Sequence, residues 1–384
     1  MINHNRSADG LRGLAALNVV VSHFFFAFLP FLLQAFYPEL HLGQTPPDSV
    51  WFRVAQLPFF AVFYNGQFAV LVFFVLSGYV LALPYFAHEP EKIRRRFWAR
   101  YLRLNIPIAA VVALSWMLFT FHLYFNTPAA AAANSPWLNT VLPVAGTDFP
   151  AMVNNAMSGA IVYGTSVFDP PLWTINIEFV GSLYLLAYYA LKPRARDALT
   201  LFLVSLLLWV RYPEASLFVI AMFCGSYLGK VKLPRKSLAV AVALGVYLGG
   251  FQYDNALYNF LPKISVWDRK TLYNTLGALL LVGAVVNGFG AGLFGSRLLQ
   301  YFGRISYSIY LLHFLVLGSL GCKLYLILPP NPASLALIFV SYAVAAILLA
   351  HFFEKFVDRN AIAVSRKFSD FLFRKKPSVT SQPG

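Results

Sequence analysis

Apolar segments of about membrane-spanning length recur along the whole chain and limit its fold more than any other feature. A helix needs roughly 20 apolar residues to cross a bilayer. The sequence predicts an all-α polytopic bundle of about ten membrane helices, at residues 12–36, 67–86, 104–125, 172–191, 198–211, 214–229, 237–251, 271–290, 305–328 and 333–353. Only 12% of the 384 residues are charged, whereas a soluble domain carries about 25%.

Lysine and arginine are unevenly divided between the predicted connecting segments. If the N-terminus is cytoplasmic, the inner segments contain 24 of the 30 basic residues, and the long outer segment 126–171 contains none. Cytoplasmic loops carry such an excess of positive charge. We therefore expect an N-in/C-in topology, and we attribute the net charge of +15 to orientation in the lipid bilayer and not to nucleic-acid binding.

The same pattern predicts two parts of the chain. Residues 1–355 form a membrane domain, and residues 356–384 form a basic cytoplasmic tail with a surface helix on anionic lipid and a disordered end. The two cysteines, Cys224 and Cys322, lie in apolar segments and predict neither a disulfide framework nor a metal site. We expect a multi-pass protein of a bacterial inner membrane, because no eukaryotic sorting signal is recognisable.

The first predicted helix carries two ionisable side chains in an apolar sequence. Arg12 and His23 are eleven residues apart, which corresponds to about 20° past three full turns and about 16 Å along the helix axis. Both side chains therefore lie on one face. An ionisable group inside a membrane helix is costly, and its default interpretation is functional. A neutral imidazole acts as a general base toward an alcohol. A histidine that only bridges two helices by a hydrogen bond is the alternative.

The segment 170–179 (PPLWTINIEF) combines a helix start with a carboxylate. Proline is favoured in the first helical turn, so Glu178 lies roughly 9–10 Å, about one and a half turns, beyond that start. We expect Glu178 to face His23 across a cavity and to orient or charge the imidazole. Pairing with an arginine or a tyrosine is the alternative. Trp173 and Asn176 are candidates for substrate contact or for hydrogen bonds between helices.

Six basic residues lie between residues 87 and 103, just before the third predicted span. Arg100 and Arg103 are three residues apart and share one face of a helix. The planar guanidinium group of arginine can donate two hydrogen bonds to one phosphate, so this pair predicts a phosphate site. The alternative is that these basic residues only orient the span in the membrane.

A polar stripe interrupts the ninth predicted span. Ser306, Tyr310 and His313 follow one another at helical spacing. For Ser306 and Tyr310 we favour hydrogen bonding between helices. His313 is as good a candidate for a site residue, and it is the next candidate for the general base if His23 is structural.

Five sequence motifs in a fixed order resemble those of the acyltransferase-3 family of integral membrane O-acyltransferases. They are residues 9–23 (DGLRGLAALNVVVSH), 73–81 (FFVLSGYVL), 95–107 (RRFWARYLRLNIP), 171–179 (PLWTINIEF) and 302–314 (FGRISYSIYLLHF). The resemblance implies ten helices and transfer of an acyl group, often acetyl, from a cytoplasmic acyl-CoA-type donor to a hydroxyl. Acceptors in this family are commonly sugars of polysaccharides, lipid-linked glycans or antibiotics.

The resemblance also assigns residues. The family's catalytic histidine corresponds to His23, its partner arginine to Arg12, and its basic motif to Arg100 and Arg103. We therefore expect His23, Glu178 and Arg12 to be catalytic, and Arg12, Arg100 and Arg103 to hold the phosphates of acyl-CoA, with acetyl-CoA as the expected donor and no metal. Relatives often carry a second acidic residue or a glutamine after the glutamate, where this chain has Phe, Val and Gly at 179–181. This departure concerns the acceptor more than the reaction.

A proton-coupled secondary transporter is the competing function. A membrane bundle with buried His, Glu and Arg side chains can carry protons together with a solute. Transporters often show inverted repeats and broken helices in matching halves, and the sequence displays neither. Turnover of acyl-CoA by the purified protein distinguishes the two functions.

Overall fold

The computed structural model describes residues 5–40, 47–142, 148–191, 213–253, 255–263 and 268–373. Within these ranges the chain is helical and contains no β-strand, which confirms the predicted all-α class. The predicted span at 198–211 lies outside the described residues, and so does the tail beyond residue 373.

Long helices account for most of the described chain. In chain order they are α1 (Arg6–Phe28), α2 (Gly66–Phe86), α3 (Pro90–Thr120), α4 (Leu172–Ala190), α5 (Pro213–Tyr227), α6 (Leu238–Gly249), α7 (Arg269–Val286), α8 (Arg297–Val316), α9 (Pro332–Phe353) and α10 (Arg359–Leu372). Shorter helical segments lie at Pro30–Leu32, Pro38–Leu40, Val50–Ala55, Pro58–Ala61, Val62–Tyr64, Asn126–Ala132, Pro136–Thr140, Phe149–Asn154, Ala160–Tyr163, Arg235–Ser237, Ala256–Tyr258, Ala291–Phe294 and Cys322–Ile327. Single π-helical turns occur at Asn155–Gly159, Leu317–Gly321 and Glu354–Asp358.

Within the described residues, five helical stretches are long and apolar enough to cross a membrane. They are Arg6–Phe28, Gly66–Phe86, Pro90–Thr120, Arg297–Ile327 and Pro332–Leu372. A sixth apolar helix, Ala215–Tyr227, is shorter. Every predicted span that falls within the described ranges overlaps a helix, so the chain is a multi-pass membrane protein.

The structure corrects the limits of two predicted spans. The first was expected to reach residue 36, but α1 ends at Phe28 because Leu29 precedes Pro30, and a proline disfavours helical geometry in the residue before it. The third was expected to start at residue 104, but α3 begins at Pro90, which occupies the first helical position. The basic segment expected as a loop is therefore largely helical.

Two glycines bring α1 and α8 into close contact. A Cβ atom on Gly13 would lie 2.6 Å from the backbone nitrogen of Gly303. A Cβ atom on Gly303 would lie 2.2 Å from the carbonyl oxygen of Asp9. Small residues permit such close approach between membrane helices. This contact fixes the register of α1 against α8, and therefore of the side chains that the two helices carry.

The C-terminal helix α10 packs against α3. Asp370 forms an ion pair with Arg95 of α3, and the ring of Phe373 lies 5.1 Å from the guanidinium of Arg94. The basic tail is thus helical as far as Leu372, and part of it lies against the basic start of α3. The domain boundary predicted after residue 355 falls inside the helical stretch Pro332–Leu372.

Candidate active site

A direct contact between two histidines lies at the centre of the candidate site. His23 of α1 and His313 of α8 bring Nδ1 and Nε2, respectively, within 2.8 Å. The ring centroids are 4.9 Å apart and the ring planes differ by 21°. Because the two nitrogens are much closer than the centroids, the rings meet edge to edge, as an N–H···N hydrogen bond requires.

The hydrogen bonds of this pair determine which nitrogen of His23 is free. The Nδ1 atom of His313 lies 3.0 Å from the carbonyl oxygen of Ile309, which only accepts, so this nitrogen carries the proton. The Nε2 atom of neutral His313 then accepts from His23, whose Nδ1 carries a proton. The Nε2 atom of His23 is left with a free lone pair, and it has no hydrogen-bond partner among the described residues.

This free nitrogen belongs to a side chain that lines a cavity of about 640 Å³, which we call the histidine cavity. The ring of Trp137 lies parallel to His23 at a centroid distance of 5.9 Å. Phe314 contacts the same imidazole edge-on at 5.1 Å. His313 is fully buried, whereas His23 is half-buried. Only His23 therefore presents a nitrogen that a reacting molecule in this cavity can reach.

A second cavity, of about 300 Å³, is lined by charged side chains and is called the arginine cavity here. Four arginines and two carboxylates line it, namely Arg12, Arg100, Arg103, Arg304, Glu178 and Asp358. The excess of arginine makes this cavity suited to an anionic group with several oxygen atoms, because guanidinium forks match phosphate geometry.

Glu178 belongs to the arginine cavity, and the expectation that it faces His23 is wrong. Its Oε1 atom accepts a hydrogen bond from Ser77 at 2.5 Å and forms a short ion pair with Arg100. Arg100 also donates to Ser182 at 2.7 Å. Glu178 therefore pairs with an arginine, which was the alternative interpretation of this residue. Each buried charge of this pair offsets the cost of desolvating the other.

The three predicted phosphate-binding arginines are not equally engaged. Both terminal nitrogens of Arg103 donate to the carboxylate of Asp358, at 2.5 and 3.4 Å. Among the described residues, the one ion pair of Arg12 is a long contact of 3.9 Å with Asp9. Arg304, which the sequence prediction did not include, is 4.0 Å from Glu354 and about half exposed. Arg12 and Arg304 therefore have the most N–H groups left for a ligand.

A thin wall separates the two cavities. Val70, Thr174 and Tyr310 line both of them. The hydroxyls of Thr174 and Tyr310 lie 2.6 Å apart, and Thr174 also donates to the carbonyl oxygen of Pro171 at 2.9 Å. Tyr310 was expected to join helices, and it does so, but at the one place where the histidine and arginine cavities meet.

The remaining candidates have more local roles. Ser306 was expected to form a hydrogen bond between helices, but it lines the arginine cavity and donates to the carbonyl oxygen of Gly303 in its own helix at 2.9 Å. Asn176 donates to the carbonyl oxygens of Ile161 and Val162, and so ties α4 to the segment before it. Trp173 lines the histidine cavity.

Ser77 and Trp137 were not predicted as site residues. Ser77 is a hydroxyl in the apolar motif 73–81, which is a usable signal because polar groups in membrane helices usually have partners. Trp137 lies in a connecting segment without any such pattern. No group of His, Cys, Asp and Glu side chains suited to a metal ion occurs in the part of the chain that the structure describes.

Comparison with known proteins agrees with the two-cavity site. The model of the acyltransferase-3 family, described as an acyltransferase domain, matches residues 5–351. The chain belongs to this family. The match includes the helix of Arg12 and His23, the histidine cavity, α8 and every lining residue of the arginine cavity except Asp358.

One curated relative carries a functional name. The chain is 23% identical over 473 aligned positions to the O-acetyltransferase PaAT-1 of Phomopsis amygdali, and the alignment covers 100% of this chain and 87% of the relative. No solved structure matches the chain.

Proposed function

We propose that this membrane acyltransferase moves an acyl group, normally acetyl, from acyl-CoA to a hydroxyl of a sugar or glycan. The observation that carries the proposal is the contact between His313 and His23, a side chain that lines a cavity, because this contact leaves Nε2 of His23 without a proton. Acyl transfer to an alcohol needs a base at that place. The O-acetyltransferase name of the fungal relative supports the choice of acetyl and of an oxygen acceptor.

The arginine cavity is the proposed site for the donor's phosphates. On the proposed N-in/C-in topology with ten spans, this cavity lies toward the cytoplasm, because the basic start of α3 and the helix α10 are next to it. Arg12 and Arg304 contact the phosphates directly, and Arg100 and Arg103 hold the cavity wall through Glu178 and Asp358.

The long arm of the donor then has to pass between the cavities. Arg12 and His23 lie about 16 Å apart along α1 by helix geometry, a distance that the slender arm of a CoA-like donor spans. The arm enters where Thr174 and Tyr310 meet, and the thioester reaches the histidine cavity. There the apolar rings of Trp137 and Phe314 limit access of water, which slows hydrolysis of the thioester.

In the proposed transfer step, His23 acts first as a general base and then as a general acid. Nε2 of His23 accepts the proton of the acceptor hydroxyl, whose oxygen attacks the thioester carbonyl carbon. The C–O bond forms, the C–S bond breaks, and the leaving sulfur takes the proton back from Nε2. His313 accepts the Nδ1–H of His23 throughout, so the charge that develops on the imidazole is partly shared.

The acceptor and the location in the cell complete the proposal. Trp173 offers an aromatic surface in the histidine cavity, as sugar acceptors require for their apolar faces. A bacterial inner membrane stays a prediction, since the named relative is fungal.

Release of free thiol from acetyl-CoA by the purified protein in nanodiscs tests the proposal. We expect slow turnover by the wild type and a loss of roughly 10²–10⁴-fold in His23→Ala. His351 is the matched control, because it contacts Tyr301 and lines neither cavity. His351→Ala should keep the wild-type rate. No thiol release by the wild type, or equal rates for both variants, contradicts the proposal, and proton-coupled solute uptake into vesicles would then favour the transporter.

A further inference from the structure

A third cavity of about 800 Å³ adjoins the histidine cavity and has no role in the mechanism above. The two share Tyr37, Gln67, Trp173 and Phe218 as lining residues. We call the third one the lysine cavity, because Lys270 at the start of α7 lines it. A molecule in the lysine cavity therefore lies next to the cavity that His23 lines.

Lys270 is a buried lysine without an ion-pair partner in the part of the chain that the structure describes. Its side chain is only 2% exposed, and its Nζ atom lies 3.0 Å from the centroid of the Tyr37 ring. No ion pair or hydrogen bond from Nζ occurs to any residue that the structure describes. The contact with the Tyr37 ring offsets part of the cost of burial, but the N–H donors of Nζ lack acceptors among the described residues.

Two carboxylates, Glu39 and Asp268, line the same cavity, and the hydrogen bonds of Asp268 go to other residues. Asp268 caps α7 and accepts from the backbone nitrogen of Thr271 at 2.8 Å and from the Thr271 hydroxyl at 2.5 Å. Tyr253 donates a further short hydrogen bond. Burial raises the pKa of Asp268, but these hydrogen bonds, together with the electrostatic attraction of Lys270, outweigh burial and lower the pKa below the usual range. Asp268 therefore stays charged and makes the cavity unfavourable for a second anion.

An acceptor atom without a partner among the described residues belongs to a second side chain that lines this cavity. Gln67 donates through Nε2 to the hydroxyl of Thr271 at 2.6 Å, one residue from Lys270. Its buried Oε1 has no hydrogen-bond partner. A free donor and a free acceptor in one cavity match a ligand that both accepts and donates hydrogen bonds. Neighbouring hydroxyls do this, whereas a carboxylate cannot donate to Oε1.

We propose that Lys270 and Gln67 form a subsite for an uncharged polyhydroxylated acceptor. One hydroxyl oxygen accepts from Nζ of Lys270, a neighbouring hydroxyl donates to Oε1 of Gln67, and the exposed ring of Trp173 covers the acceptor's apolar face. The hydroxyl to be acylated then extends toward His23. This inference rests on the proposed acyl transfer and adds the residues that hold the acceptor.

Acetylation of methyl β-D-glucopyranoside in nanodiscs tests the subsite. In Lys270→Met and Gln67→Leu we expect the KM for this glucoside to rise about 5–100-fold, because each variant loses a hydrogen bond in a buried site. The KM for acetyl-CoA should stay at the wild-type value, and Lys270→Arg should recover part of the loss. The matched control is Lys323→Met, since Lys323 also lies over an aromatic ring, at 5.5 Å, but lines none of these cavities.

Four results would overturn the subsite. Two concern the variants, namely an unchanged glucoside KM in both of them, or a donor KM that rises as much as the glucoside KM. The other two concern a wild-type enzyme that turns over acetyl-CoA but either acetylates 1-hexanol at the same rate as the glucoside or leaves the glucoside unmodified. Failure of the proposed function itself gives a different result, because no thiol is then released from acetyl-CoA at all.

Discussion

Replacing His313 separates the orienting role of this residue from the role of a base. In His313→Leu the Nδ1–H of His23 loses its acceptor, which is 2.8 Å away in the native site. A buried donor left without a partner costs about 1–3 kcal/mol, and the imidazole can avoid that cost by turning or by moving its proton to Nε2. Either change removes the lone pair that faces the cavity.

The size of the effect follows from that cost. A free-energy difference of about 1–3 kcal/mol corresponds to a loss of roughly 5–150-fold in kcat. Loss of a general base costs about 10²–10⁴-fold, so His313→Leu should be milder than His23→Ala. His313→Gln should lie within about tenfold of the wild type, because the amide oxygen can accept the same hydrogen bond.

Initial rates of thiol release at saturating acetyl-CoA and glucoside measure these variants. The double variant His23→Ala/His313→Leu should be no slower than His23→Ala, since His313 acts only through His23. A wild-type kcat in His313→Leu would refute the tautomer argument. So would a double variant whose loss is the product of the two single losses, because that result assigns His313 a separate chemical role.

Two further predictions concern the donor site and the topology. Arg12→Ala should raise the KM for acetyl-CoA with little change in the thermal unfolding midpoint, whereas Arg100→Ala should destabilise the protein by about 3 kcal/mol, because Glu178 then becomes an unpaired buried charge. Adding Glu178→Gln to Arg100→Ala should restore most of the midpoint, and a midpoint that does not recover would contradict the structural role of the pair. In a cysteine-free background, Asp148→Cys should react with an impermeant reagent from outside and Pro90→Cys should not. The opposite labelling would put the donor site on the wrong side for the proposed path.

The sequence predicts the parts of this site that depend on one helix. The shared face of Arg12 and His23 needs only helical periodicity, and the helical class follows from apolar segments. The partner of His23 is different, because Arg12 and His23 do not determine which residue of α8 lies opposite. The contact between Gly13 and Gly303 sets that register, and it joins residues that are distant in the chain.

The partner of Glu178 illustrates the same limit. Its depth in α4 can be counted from the proline, but its direction depends on how α4 is rotated against α2 and α3. The structure turns it toward Ser77 and Arg100. Trp137 could not be predicted either, since its connecting segment has no periodic pattern that would bring it beside His23. Long-range packing of this kind is not encoded in local spacing.

The hydrogen bond between Thr174 and Tyr310 has a consequence for the bilayer as well as for the reaction. Protons and ions leak across a membrane through any continuous file of water, and on the proposed topology the arginine and histidine cavities approach each other from opposite sides. On that topology, the Thr174–Tyr310 contact blocks a continuous file of water between the two cavities while no donor is bound, and so preserves the cell's electrochemical gradient. During turnover the arm of the bound donor separates Thr174 from Tyr310 and occupies the space between them. The acyl group can then reach the histidine cavity without an open path for ions across the membrane.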